Sequence, residues 1–315
     1  MNERHIQGLE LLISQMRGCV LTIGNFDGVH VGHRHIIARA RALADGEGAP
    51  VVAMTFDPPP DLVMRPQDAP LRLTLPQRRA ELLLEAGADY VVTARADKAL
   101  LGLSAEDFIT RVIVDRFAPR HMVEGGNFFF GAARAGNIEL LRRRGAELGF
   151  FVHAIDPVLI ELGSETVQIS STLIRSLVAA GRVEDAARCL GGPYTLQGPV
   201  VIGRRVGRSL GFPTCNIDIG PLVMPAQGVY AGWARVAGQG SAAAVSIGTQ
   251  PTFDGDEVVV EAFLLDLQDS VYDKMMSLGL LARLRDQQRF AGPEALKTQI
   301  SKDVQRVREI CKRRL

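Results

Sequence analysis

The segment Gly24-Asn25-Phe26-Asp27-Gly28-Val29-His30-Val31-Gly32-His33 sets two imidazoles three residues apart with a glycine between them. Half of the six histidines in the chain fall between positions 30 and 35. An apolar run, Val20–Ile23, precedes the segment and a helical pattern follows it. A strand-to-helix turn points free backbone N–H groups and the positive end of the helix at one place, which suits a phosphate, and Gly32 lets that phosphate come close. Two histidines there can donate hydrogen bonds to a phosphorus centre as charge builds on it. Two plainer readings compete. A single histidine at such a turn serves as a helix cap or a surface group, and His30, His33 and His35 together could ligate a metal, although no nearby Cys, Asp or Glu pattern completes a zinc set.

Further along, Ser170-Ser171-Thr172 precede a helical pattern, so their hydroxyls can cap it while its N-terminus faces an anion. Arg175 lies three residues after Thr172 and shares its face, where a guanidinium can grip two phosphate oxygens; an ordinary capped helix with a surface arginine has the same sequence. Gly125-Gly126-Asn127-Phe128-Phe129-Phe130-Gly131 follows a strand and ends in a glycine-rich loop. There Phe128 and Phe130 suit core packing and Phe129 could stack on a flat ring. Gly203 to Ser209 is not a Walker A loop: three residues, not four, separate its glycines, and Arg208 stands where Lys is required. It does offer a glycine-rich flap carrying Arg204, Arg205 and Arg208 that can close over an anionic nucleotide. Thr214 and Asn216, two apart, point the same way in an extended segment and offer hard oxygen atoms of the kind Mg²⁺ accepts. Glu261 lies within the apolar run Val258–Leu265, where an acid either faces solvent or is kept for chemistry.

The elements that must position these groups change character near residue 190. Before it, short apolar runs (Val20–Ile23, Val51–Phe56, Asp89–Thr93, His121–Glu124, Phe150–Ile155) alternate with helical stretches (His35–Leu43, Gln77–Ala86, Ala105–Phe117, Ile138–Leu148). That alternation predicts a mostly parallel sheet covered by helices on both faces, with ligands at the carboxyl ends of its strands. Helical stretches Ser171–Ala180 and Val183–Cys189 close this half. After Gly191-Gly192-Pro193 the period drops toward two, in Tyr194–Ile202, Gly228–Val236, Ala242–Ile247 and Glu257–Leu265, which predicts an antiparallel barrel. An amphipathic helix over Pro293–Leu315, with Leu296, Ile300, Val304, Val307 and Ile310 on one stripe, should cap the barrel. Lys312-Arg313-Arg314 reads as a solvated helix end.

At about 150 residues per domain, 315 residues predict two units. The net charge of +1 marks out neither a nucleic-acid nor an anionic-membrane binder. With 47% hydrophobic and 23% charged residues the chain can bury real cores. The four cysteines, Cys19, Cys189, Cys215 and Cys311, form no C-x-x-C pair, so neither a zinc knuckle nor a disulfide framework is indicated. No cleavable leader pattern and no apolar run of 18 residues is present. The expectation is a cytoplasmic protein with small-molecule partners, without nucleic acid or membrane; self-association stays open.

The H-x-G-H signature in a βα protein is similar to that of the nucleotidylyltransferase superfamily. The string GNFDGVHVGH resembles the bifunctional bacterial riboflavin kinase/FMN adenylyltransferase (FAD synthetase) family. Three later segments resemble that family in order: Ile169-Ser170-Ser171-Thr172-Leu173-Ile174-Arg175, Gly207-Arg208-Ser209-Leu210-Gly211-Phe212-Pro213-Thr214-Cys215-Asn216, and Ile247-Gly248-Thr249-Gln250-Pro251-Thr252-Phe253 followed by Val260–Leu265. The resemblance implies a Rossmann-like nucleotidylyltransferase domain over 1–190 and an antiparallel β-barrel riboflavin kinase domain with a C-terminal helix over 191–315. It implies two reactions: riboflavin and ATP give FMN, then FMN and a second ATP give FAD and pyrophosphate, with Mg²⁺ as the cofactor.

By the same resemblance, His30 and His33 are catalytic and face the α-phosphate, with Gly24, Asn25, Phe26 and Gly32 around the nucleotide. Ser171, Thr172 and Arg175 hold the β,γ-phosphates, and Asn127 contacts flavin or nucleotide. In the barrel, Gly207 and Arg208 bind ATP, Thr214 and Asn216 hold Mg²⁺ on its phosphates, and Glu261 takes the proton of the riboflavin 5′-hydroxyl. The chain departs from the family pattern at Pro59 (usually His), Ser246 (Asn), Gln250 (Arg), Asp273 (Gly) and Cys215 (Ala, so Cys215 should point into the barrel). Two rival expectations stay open: adenylyltransferase activity alone with a decayed kinase barrel, which the departures at Ser246, Gln250 and Asp273 recommend, and a non-catalytic flavin-binding or sensing protein on the same scaffold, against which intact His30, His33, Thr214, Asn216 and Glu261 argue.

Overall fold

Runs of aliphatic residues without polar alternation make strands that are buried on both faces, and Val20–Ile23 and Val51–Phe56 are such runs. In the computed structural model, which describes residues 3–202, 211–252, 255–267 and 271–314, they lie at the centre of a six-stranded sheet. Its strands are β1 (His5–Gln7), β2 (Val20–Ile23), β3 (Val51–Phe56), β4 (Tyr90–Ala94), β5 (His121–Gly125) and β6 (Phe151–Ile155). Their order is β1-β4-β3-β2-β5-β6, with each neighbouring pair parallel. Consecutive residues of β2 serve opposite faces. Leu21 and Ile23 join Phe108, Ile109, Val112 and Phe117 on one side, while Val20 joins Ile37, Ala40 and Leu83 on the other. The predicted cover on both faces is therefore present.

Helix α1 (Val31–Glu47) starts four residues earlier than its apolar period suggests, because His30 caps it, and it ends at Gly48 in the left-handed region. Two short turns, α2 (Pro60–Met64) and α4 (Lys98–Leu101), and α3 (Pro76–Glu85) follow. The stretch Ala105–Phe117 is helical as predicted, with α5 (Ala105–Asp107) running into a π-helical segment, Phe108–Phe117. Helix α6 (Ile138–Leu148) is capped by the Asn137 side chain, which accepts from the Leu140 N–H. A hairpin of β7 (Leu159–Leu162) and β8 (Glu165–Gln168) forms its own two-stranded sheet. The chain leaves β2 toward β3 on one side and returns as β5 on the other. The carboxyl ends of β2 and β5 thus form the topological switch point, the place where open α/β sheets bind ligands.

Packing divides the chain into two units, one of Met1–Pro70 with Thr74–Ser170 and one of Leu71–Leu73 with Ser171–Leu315. In the second, α7 (Ser171–Ala179) packs on α8 (Val183–Leu190), and α8 on the barrel strands β9 (Tyr194–Val201) and β14 (Met275–Arg285). With β10 (Cys215–Ile217), β11 (Gly228–Val236), β12 (Gln239–Thr252) and β13 (Gly255–Leu264), these strands close a six-stranded barrel in the order β10-β13-β12-β11-β14-β9. All of its pairs are antiparallel. The C-terminal helix, Pro293–Arg314, buries Val307 and Cys311 against Val229, Ala231, Leu281 and Leu284 of the barrel. In the middle of the stripe expected to be apolar stands a buried charge. Asp303 receives Arg285 Nε at 3.0 Å, Arg285 Nη2 at 2.8 Å and Gln299 Nε2 at 2.9 Å.

Candidate active sites

Directly after β2 the backbone is forced into an unusual path. Phe26 (φ 46°), Gly28 (φ 86°) and Val29 (φ 41°) all occupy the left-handed region, which is a true outlier for a β-branched residue such as Val29. The path is held from several sides. Asp27 Oδ1 accepts the Thr74 N–H at 3.1 Å and the Thr74 hydroxyl at 3.2 Å. Thr74 Oγ1 in turn accepts the Gly28 N–H at 3.1 Å, and the Val29 N–H reaches the Phe26 carbonyl at 3.0 Å.

This path delivers His30 to the N-terminus of α1. Its Nδ1 accepts the His33 N–H at 3.3 Å, so that nitrogen carries no proton and the ring's N–H is Nε2. The capping and the phosphate-donor readings therefore belong to opposite edges of one ring. The His30 and His33 rings stack with centroids 3.6 Å apart and planes 17° from parallel, and Phe26 sets its edge against His33 at 5.2 Å. Burial pushes the His30 imidazole down to about 4, partly opposed by the Asp27 carboxylate. Burial, with His30 beside it, also holds His33 well below the usual histidine range. Both rings are neutral at pH 7 as a result. A Cβ on Gly32 would lie 3.2 Å from the His30 ring, and one on Gly24 would lie 3.2 Å from Phe26. Both glycines thus make room for the rings of this turn. Asn25 is exposed beside them, and Phe26 is buried beneath His33.

On the other side of the switch point, the loop after β5 is closed by Phe130 and Gly136, whose backbones pair at 3.1 and 2.8 Å. Phe130 is buried and Phe128 packs on the same core, as their sequence suggests. Phe129 is 48% exposed, with the Arg134 guanidinium 4.9 Å above its ring. Asn127 is exposed at the loop tip. Ser171, Thr172 and Arg175 lie on α7 in the second unit, where Arg175 Nε donates to the Leu71 carbonyl at 2.9 Å.

In the barrel, register brings a second set of polar groups together. Asn216 on β10 pairs with Glu261 on β13, and Glu261 pairs with Ser246 on β12, so the three side chains share one face. Each is half-buried, whereas their strand neighbours Cys215, Ile217, Val245, Ile247, Val260 and Ala262 are buried. Thr214 is half-buried like Asn216, in keeping with a common direction, and Cys215 points into the barrel as predicted. Burial pushes the Cys215 thiol up to about 11. Gln287 Nε2 donates to Ser246 Oγ at 3.0 Å and to the Ile247 carbonyl at 2.9 Å. Asp273 adopts φ 60°, the conformation that a glycine at this position would supply and that Asp tolerates better than most residues. Gly207 and Arg208, with Arg204 and Arg205, lie outside the described residues, as does Phe253.

Sequence reading missed four residues that hold the first site: Thr74, Arg79, Glu124 and, as a functional group, Asp27. Asp27 lies inside the quoted motif. Thr74, Arg79 and Glu124 lie between 23 and 101 positions from the groups they bond, and no local pattern signals them.

A parallel sheet with a phosphate-ready turn at its switch point, joined to a barrel bearing a carboxylate beside hard oxygen donors, defines a class: two-domain transferases of phosphorus-containing groups. Comparison with known proteins narrows it. The family model described as FAD synthetase matches residues 12–173, and that described as riboflavin kinase matches residues 190–311. The bifunctional riboflavin kinase/FMN adenylyltransferase of Pseudomonas fluorescens is 37% identical over 306 residues, 97% of this chain and 97% of its own. That of Escherichia coli K12 is 37% identical over 295 residues, 93% of this chain and 92% of its own. A crystal structure described as a macrolide-efflux protein from Streptococcus pneumoniae superposes with a TM-score of 0.87 at 28% identity, covering 97% of this chain and 99% of that one. That description fits none of the named relatives, and among the described residues no helix is long and apolar enough to cross a membrane; the likeness is one of fold. The chain belongs to the bifunctional riboflavin kinase/FMN adenylyltransferase family. It is an enzyme that phosphorylates riboflavin to FMN and adenylylates FMN to FAD.

Proposed function

We propose that the two reactions are divided between the two ends of the chain, adenylyl transfer at the His30–His33 turn and phosphoryl transfer at the Asn216–Glu261–Ser246 face. The observation that carries the first assignment is the pair of stacked, neutral imidazoles at a helix N-terminus on the switch point. In adenylyl transfer an FMN phosphate oxygen attacks the α-phosphorus of ATP and the bond to the β-phosphate oxygen breaks, releasing pyrophosphate. Charge builds on the α-phosphoryl oxygens. The protonated Nε2 of His30, together with His33 and the positive end of α1, can stabilise it there. Gly24, Asn25 and Gly32 line the approach, and Asn127 and the exposed Phe129 face of the β5 loop are our choice for the flavin side. The motif that contains Ser171, Thr172 and Arg175 supports a β,γ-phosphate role for them.

In the barrel, Glu261 accepts the proton of the riboflavin 5′-hydroxyl as that oxygen attacks the γ-phosphorus and ADP leaves. Gly207 and Arg208 are the proposed ATP-binding flap. Mg²⁺ bound with the nucleotide would offset phosphate charge, and the hydroxyl of Thr214 and the amide oxygen of Asn216 are hard donors of the type it takes. Among the described residues there is no cluster of three His, Cys, Asp or Glu able to hold an ion, so the fit is to a metal carried mainly by the phosphates. Four buried free cysteines favour a reducing, cytoplasmic setting.

The test is chromatography of products from riboflavin with Mg²⁺-ATP and, separately, FMN with Mg²⁺-ATP. His33→Ala is expected to lower FAD formation by roughly 10²–10³ and to spare FMN formation, taking a lost transition-state donor as the guide. Glu261→Gln is expected to abolish FMN formation and leave FMN-to-FAD conversion intact. Parallel loss of both activities in either variant contradicts two separate sites.

A further inference from the structure

The adenylylation turn leaves β2 under strain, and left-handed non-glycine residues of this kind persist only where the surroundings over-determine them. Asp27 and Thr74 hold the far part of the turn. The near part, around Gly24, is held by two buried ionisable side chains that come from opposite directions.

From β5 comes Glu124, 2% exposed, whose Oε1 accepts the Ile23 N–H at 2.7 Å. The β2–β5 ladder consists of Val20 opposite His121 and Leu21 opposite Met122. Beyond these pairs the strands part to open the crevice, and Glu124 satisfies the first N–H past the ladder's end. From α3 comes Arg79, also 2% exposed. Its Nη1 donates to the Asn25 carbonyl at 3.2 Å and its Nη2 to the Phe56 carbonyl at 2.7 Å. Asn25 also receives the Thr55 hydroxyl at 3.2 Å. The N–H that precedes Gly24 and the C=O that follows it are therefore each fixed by a side chain from another element.

Neither group is a good choice for stability alone. Burying a carboxyl or a guanidinium carries a desolvation penalty that well-packed apolar residues of similar volume avoid. Glu124 lies on the sheet face that holds Met122, Ile23, Phe108 and Phe130, and burial there pushes its carboxyl well above the usual carboxylate range. A carboxyl in that place has one evident use, as an acceptor for the Ile23 N–H. Arg79 likewise spends two arms of its fork on carbonyls at the carboxyl ends of β2 and β3, the edge from which the His30 turn departs.

We propose that Arg79 and Glu124 are positioning residues for adenylyl transfer, a buried guanidinium and a buried carboxyl that hold the Asn25 C=O and the Ile23 N–H, one residue to either side of Gly24, and so aim the His30–His33 pair. The inference rests on the reading that this pair is the adenylylation site. Displacing such a pair by about 1 Å costs up to roughly 10²-fold in rate. The loss should fall on kcat, because the reacting geometry changes while most binding contacts remain.

The experiment uses full-length protein with Arg79→Met, Arg79→Lys, Glu124→Leu, Glu124→Gln and His33→Ala. Each is assayed for FAD formation from FMN and Mg²⁺-ATP, and for FMN formation from riboflavin in the same preparation. Arg79→Met and Glu124→Leu are expected to lower kcat for FAD formation by roughly 10- to 100-fold with KM moving by less than about threefold, and to leave the kinase rate unchanged. Glu124→Gln keeps an acceptor of the same shape and should restore kcat to within about threefold of wild type. Arg79→Lys keeps charge and packing but cannot span both carbonyls, so it should still lose kcat even if Arg79→Met fails to fold. Wild-type kcat in Arg79→Lys or Glu124→Leu overturns the proposal. So does a Glu124→Gln variant as poor as Glu124→Leu, which would make the carboxyl a chemical group. If His33→Ala itself retains adenylyl transfer, the site reading has failed. If His33→Ala loses it while Arg79→Lys and Glu124→Leu do not, only the positioning inference has failed.

Discussion

The burial of His30 makes the first unit sensitive to acid in a way that can be worked out in advance. In an unfolded chain its imidazole titrates near 6.5, and in the folded protein burial pushes it down to about 4. The folded state thus resists the proton that the unfolded state accepts. The resulting stability is complete above pH 6.5 and is lost as pH falls toward 4. The whole interval corresponds to ~3 kcal/mol, of which roughly 2 kcal/mol is lost between pH 7 and pH 5. His33, buried beside it, is shifted in the same direction and adds to the effect. The informative perturbation is His30→Asn. Its side-chain oxygen can still cap α1 but does not titrate, so the stability gap between wild type and variant should shrink by roughly 2 kcal/mol on going from pH 7 to pH 5. Hydrogen exchange of β2 and α1 amides, corrected for intrinsic rates, reports the first unit. The single tryptophan, Trp233, lies on β11 and reports the barrel separately by fluorescence. If wild type and His30→Asn lose exchange protection in parallel between these pH values, His30 is not held neutral by burial and the reasoning is wrong.

Three further outcomes follow from particular contacts. Gly32→Ala sets a methyl 3.2 Å from the His30 ring while favouring the helix by up to ~1 kcal/mol, so adenylyl transfer should fall about tenfold or more without loss of thermal stability; an unchanged rate would show that the ring yields freely. Arg285→Met leaves Asp303 buried without its main partner and should destabilise the barrel by roughly 3–5 kcal/mol, read as a lower urea midpoint of Trp233 fluorescence, and a shift worth under about 1 kcal/mol would mean that water already reaches the pair. Asp273→Gly removes a side chain from a residue at φ 60° and should raise barrel stability by up to about 1 kcal/mol; a drop in the same midpoint would show that Asp273 makes a contact worth more than the strain.

Much of the fold was legible because local pattern and tertiary demand agree. Ile138–Leu148 has a helical period, an Asn cap and a terminal glycine, and it is a helix over those residues. Val20–Ile23 and Gly228–Val236 are strands with the bounds their composition suggests. The misses have identifiable causes. The strand β1 has three residues, too few to show a period, and exists through its pairing with β4. The strand β14, Met275–Arg285, is rich in Met and Leu and lacks β-branched residues; it is a strand because the barrel needs a partner between β9 and β11. Asp303 interrupts an apolar stripe because Arg285 reaches it from another element.

The same division runs through the active sites. The order and spacing of residues determined by themselves that a strand delivers His30 and His33 to a helix start and that two domains of different architecture follow one another along the chain. Tertiary structure alone decided that the imidazoles stack and stay neutral, that Glu261 lies between Asn216 and Ser246, and that Arg79 and Glu124 grip the backbone beside Gly24. Periodicity and capping act over a few residues and are written in the chain itself. Desolvation and cross-strand register arise only when segments tens to a hundred positions apart exclude water from one another.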